Sequence, residues 1–71
     1  MAHMRYKYKI GDMVITGIPG EHNGEYNNRV AIIIEREHPT SRAGYNEYKL
    51  VVCGKPDNPI WFDEIYIRKF E

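Results

Sequence analysis

The chain has a single cysteine in 71 residues, Cys53, so it can form no intrachain disulfide, which suits a reducing, cytoplasmic setting. No run approaches the ~20 apolar residues that a membrane-spanning helix needs, and the N-terminus lacks the apolar core of a secretion signal. Charge of one sign is missing too, because ten Lys and Arg balance ten Asp and Glu. A dedicated nucleic-acid binder usually carries a basic excess, since phosphate neutralisation dominates its affinity. That warrant is absent here. The same neutrality gives little colloidal repulsion and favours self-association. No stretch shows a helical stripe, and there is no repeat, low-complexity segment or inter-domain linker. A chain this short holds one core and has little room for a deep substrate pocket.

What is present is strand chemistry punctuated by turns. Residues 1–4 read as a cloning remnant, which removes His3 from consideration and leaves 5–71 as a single domain. Turn formers recur at Gly11-Asp12, Gly17 to Gly20, Asn23-Gly24, Asn27-Asn28, Pro39 to Gly44 and Gly54 to Pro59. The segments between them are short and rich in Val, Ile and Tyr. Strands are expected over Met13–Ile18, Arg29–Glu37, Glu47–Cys53, Ile60–Phe62 and Ile65–Phe70, with a 3₁₀ turn opened by Asp63-Glu64. Val30-Ala31-Ile32-Ile33-Ile34 is a continuous apolar run, which predicts a central strand with both faces at least partly covered. In the third strand Tyr48, Leu50 and Val52 share one face, with Lys49, Val51 and Cys53 on the other. Closing five such strands into a small barrel would remove exposed edges.

Each candidate for chemistry has a plainer explanation. His22 lies among glutamates in a Gly-rich loop with no second ligand at a metal-binding spacing, and His38 stands alone. Cys53 has no activating base nearby in sequence. Glu35 and Glu37 fit cross-strand pairing with Lys49 or Arg68 better than acid–base catalysis. Asp63-Glu64 suits a helical turn. The segment Gly17 to Gly24 lacks the Lys-Ser/Thr of a phosphate loop. The expectation is a non-enzyme with no catalytic residue, no metal and no cofactor.

The opening Lys9-Ile10-Gly11-Asp12-Met13-Val14 and the closing Ile60-Trp61-Phe62-Asp63-Glu64-Ile65-Tyr66-Ile67 resemble the first and last strands of SH3-like barrels, including the Tudor and KOW-type variants. The likeness spans Tyr8 to Phe70 and implies a five-stranded barrel with a 3₁₀ turn before its last strand. The Ala-Leu-Tyr-Asp-Tyr start and paired tryptophans of signalling SH3 domains are missing, so the resemblance does not extend to Pro-rich ligands. Trp61, Phe62, Tyr66 and Asp63 have the residue types of a Tudor cage, but alternation sends Trp61 and Phe62 to opposite faces. The chain also looks similar to small stand-alone proteins of bacteriophages and mobile elements.

Aromatic content is the feature that folding explains least. Aromatics make up 13% of a chain with a small core, so some must be exposed, and exposed Tyr and Trp are enriched at interfaces. Tyr6 and Tyr8 alternate with Arg5, Lys7 and Lys9 in what reads as an N-terminal arm, while Tyr26 and Tyr45 fall in the two longest loops. The predicted binding residues are therefore Tyr6, Tyr8, Tyr26, Arg29, Tyr45, Trp61 and Tyr66, presented to a protein partner. The alternative is RNA or single-stranded nucleic acid stacked on aromatics beside Arg5, Lys7, Lys9 and Arg29. A third reading is homo-oligomerisation, in which the apolar face of the second strand or an arm strand pairs with a neighbouring copy.

Overall fold

The computed structural model describes residues 5–17, 26–39 and 44–70. β-Branched and aromatic residues alternate with polar ones through much of these segments, which suits a pleated, half-buried strand. Among the described residues five strands form: β1 (Met13–Thr16), β2 (Val30–Glu37), β3 (Glu47–Val52), β4 (Lys55–Asp63) and β5 (Ile67–Lys69). One 3₁₀ turn, Glu64–Tyr66, precedes β5. The strands make a single antiparallel sheet in the order β4-β3-β2-β1-β5. The all-β class, the central position of the Val30–Ile34 strand and the turn after Asp63 are as expected.

The ladder leaves β4 and β5 as its two edges, and the 3₁₀ turn carries the chain from one to the other. That turn is anchored by the Glu64 N–H, which donates to the Asn46 carbonyl at 2.8 Å.

Alternation decides what is buried. Val14 on β1, Ala31 and Ile33 on β2, Tyr48, Leu50 and Val52 on β3, and Ile67 on β5 are all buried and form the core with Tyr8. Ile60 and Phe62 of β4 pack against it, opposite Leu50 and Tyr48 in the register. The other parity faces outward, so the Val30–Ile34 run is covered on one face only. Ile32 is 45% exposed and Ile34 37% exposed.

The register slips once in β2, between Ile33 and Glu35. Ile34 is the extra residue of this bulge, so Ile34 and Glu35 both point outward. Glu35 then lies opposite Lys49, and their side chains form the expected ion pair at 3.3 Å.

Three expected boundaries differ by two residues or more. β1 ends at Thr16, where Gly17 bends the chain at φ +106°, and Ile18 lies outside the described residues. The turn expected over Gly54–Pro59 is instead the two-residue link Cys53-Gly54, and β4 begins at Lys55. Proline is tolerated there because β4 is an edge strand and the β3 register slips past residues 56–59. The last strand starts at Ile67, since Ile65 and Tyr66 belong to the 3₁₀ turn.

Candidate functional site

The expected N-terminal arm is part of the fold. Tyr8 is only 5% exposed and sits in the core with its ring edge-on to Tyr48, centroids 5.5 Å apart. Its hydroxyl donates to the Ile67 carbonyl at 3.3 Å. Tyr8 is therefore not displayed on the surface: residues 5–9 form no strand and bend at Lys7 and Tyr8, while the tyrosine side of the alternation with Arg5, Lys7 and Lys9 faces inward. Tyr6 is half-buried beside it. The His38 ring stacks on Tyr6 at 4.3 Å, and the Arg36 guanidinium lies 4.2 Å from the Tyr6 centroid. Arg36 reaches this end because the β2 bulge returns it to the register opposite Tyr48, and its Nη1 donates to the Tyr8 carbonyl at 3.1 Å.

A polar clasp fixes the arm. The Tyr48 hydroxyl accepts the backbone N–H groups of Lys7 (3.0 Å) and Tyr8 (3.3 Å) and donates to the Glu64 carboxylate. Glu64 Oε2 also accepts from the Lys7 N–H at 3.1 Å and the Asn46 amide at 3.3 Å. The buried Asn46 donates to the Arg5 carbonyl at 2.9 Å, and its Oδ1 lies 3.3 Å from His38 Nδ1. Burial, reinforced by the hydrogen bond to Glu64, pushes the Tyr48 phenol up to about 12. These groups bind one another, so the clasp is a structural device.

Tyr26 and Arg29 meet at the opposite boundary of the long loop. Thr16, fully buried, donates its hydroxyl to the Tyr26 carbonyl and accepts the Arg29 N–H at 3.1 Å. The Tyr26 ring packs partly on the core, its hydroxyl accepts from Asn58 Nδ2 at 3.1 Å, and Lys55 Nζ lies 5.4 Å from its centroid. Tyr45 is half-buried, while Tyr66 is exposed on the 3₁₀ turn. The seven residues do not converge on one site.

Trp61 stands on the outer face of the sheet, 39% exposed and opposite Lys49. Sequence reasoning missed an apolar row on the same outer face. Met13, Ile32 and Val51 are cross-strand partners in a row over β1, β2 and β3. The row continues to Phe70, whose N–H donates to the Met13 carbonyl at 3.3 Å. Met13, Ile32 and Phe70 are each more than two-fifths exposed. A shallow apolar hollow of about 300 Å³ lies along it, between Met13, Ile32, Val51 and Pro56. The outward parity of Val51 was already visible in the alternation of β3, and cross-strand pairing carries that parity to Ile32.

His22 lies outside the described residues. Cys53 is an exposed free thiol in the β3–β4 link. Among the described residues no group of three or more His, Cys, Asp or Glu is placed to hold a metal ion. No described helix is long and apolar enough to cross a membrane. No protein-family model matches the chain, and no curated protein or solved structure matches it significantly.

Proposed function

We propose that the chain is a non-catalytic protein-interaction module, an adaptor or modulator of a larger assembly, built on an SH3-like barrel layout. The observation that carries this reading is the outward-facing row Val51–Ile32–Met13–Phe70, with Trp61 on the same face of the sheet, opposite the core. Scattered apolar residues on a surface mean little, whereas a contiguous apolar row beside a polar rim is the anatomy of an interface. The rim here is the Glu35–Lys49 ion pair on one side and Arg68, opposite Ile15, on the other.

Affinity capture of protein partners with immobilised wild type, Ile32→Glu and Trp61→Ala chains tests the reading. Both substitutions leave the core side chains in place, and circular dichroism checks that the sheet persists. Loss of the same partner in both variants supports the interface. Undiminished capture by both would falsify it.

A further inference from the structure

The N-terminal segment and the end of β5 enclose an open trough of about 570 Å³. Lys7, Lys9 and Lys69 line it, with Met13 and Phe70 as apolar wall. All three lysines are exposed, and among the described residues none is in an ion pair. Among the described residues Asp12 is the one carboxylate in the lining, and its Oδ2 is engaged by the Lys9 backbone N–H at 2.9 Å. In a chain of zero formal charge this is a local positive concentration.

The trough also borders a sheet edge. The Gly17 N–H donates to the Tyr66 carbonyl and the Phe70 N–H to the Met13 carbonyl, which fixes the parity of the β1–β5 ladder. By alternation the peptide groups of Ile67 and Lys69 point away from β1. Tyr8 takes the Ile67 carbonyl, which among the described residues leaves Lys69 as the open step of the edge, beside Lys7 and Lys9.

We propose that this trough receives an extended acidic segment of a partner protein. Its carboxylates meet Lys7, Lys9 and Lys69, an apolar side chain rests on Met13 and Phe70, and its backbone pairs with Lys69. The proposal rests on the protein-interaction reading above and names the chemistry of one partner segment. A polypeptide uses the ammonium groups and the edge peptide together, in the manner of strand addition. A nucleic acid would use only the charge and the Phe70 ring, and the chain offers it no overall basic excess.

Fluorescence anisotropy with the whole chain tests this. The probes are a fluorescein-labelled peptide of alternating Glu and Val, its Gln-for-Glu counterpart, and labelled oligo(dT). Saturable binding of the Glu peptide is expected, weakened about tenfold or more by the Gln exchange, by Lys9→Glu/Lys69→Glu and by raised salt. The milder Lys9→Gln/Lys69→Gln chain, checked by circular dichroism, gives an intermediate loss. Equal binding of the Gln peptide, undiminished binding by the charge-altered chains, or tighter binding of oligo(dT) overturns the proposal. So does a wild type that dimerises through this face, with Lys69→Glu dissociating it in sedimentation. If the Glu peptide fails to bind while Ile32 and Trp61 still govern partner capture, only the trough assignment falls; if both fail, the interaction reading falls as well.

Discussion

The Tyr48 hydroxyl donates to the Glu64 carboxylate across the end of the sheet, and the same hydroxyl accepts the N–H groups of Lys7 and Tyr8. One phenol thus joins β3, the 3₁₀ turn and the N-terminal segment. Glu64 retains the Lys7 N–H and the Asn46 amide without it, but the buried Tyr8 N–H bond to the Tyr48 oxygen would be lost. Leaving a buried donor unsatisfied costs about 1–3 kcal/mol. Tyr48→Phe should therefore destabilise the chain by that amount, each kcal/mol lowering the Tm by roughly 4–8 °C in a domain of this size. Hydrogen exchange of the Tyr6 to Lys9 amides should quicken most. An unchanged Tm with unchanged exchange would mean that the clasp contributes nothing.

The same phenol makes stability depend on alkaline pH. Its folded value, about 12, lies above the ordinary 10.0, so the native state holds the proton after the unfolded chain has released it. The contribution is complete below pH 10 and is lost as pH rises through about 12. The stability gap between wild type and Tyr48→Phe, measured by urea unfolding at successive pH values, should narrow across that window. A constant gap would contradict the linkage.

Local chemistry made much of this legible and long-range chemistry the rest illegible. Tyr48, Leu50 and Val52 alternate cleanly, and all three are fully buried as their spacing implies. Lys49 meets Glu35 as charge complementarity suggests. Pro56 and Pro59 read as a turn because proline cannot donate to a ladder, yet an edge strand and a register slip make that donor unnecessary. Tyr8 and Tyr6 looked like a free arm since nothing local shows Tyr48 some forty residues away. The outer apolar row is hidden in a run whose continuity implies at least partial cover on both faces, and only cross-strand register reveals it.

Gly17 and Gly11 both have positive φ, +106° and +95°, which an L-residue avoids at a cost of roughly 1–2 kcal/mol. They differ in surroundings. A Cβ on Gly17 would come 2.9 Å from Asn27 Oδ1 and 3.0 Å from the Asn28 backbone N, whereas one on Gly11 meets nothing within 4 Å. Gly17→Ala should be the more destabilising of the two, because Asn28 N already bonds the Thr16 carbonyl at 2.8 Å and resists displacement. Urea midpoints rank them. Equal losses would show that backbone angle alone sets the cost.

Ile32 and Ile33 are adjacent in β2 and face opposite sides, 45% and 1% exposed. Ile33→Ala removes a side chain from the core and should cost about 2–5 kcal/mol. A domain of this length has only about 4–10 kcal/mol of stability, so that change brings it near unfolding. Ile32→Lys keeps the core intact and should stay within about 1 kcal/mol of wild type. The two substitutions thus separate folding from binding: the first lowers the denaturation midpoint sharply, and the second leaves it nearly in place while removing partner capture. If Ile32→Lys unfolded the chain as readily as Ile33→Ala, the outer row would be part of the core and its role as an interface would fail.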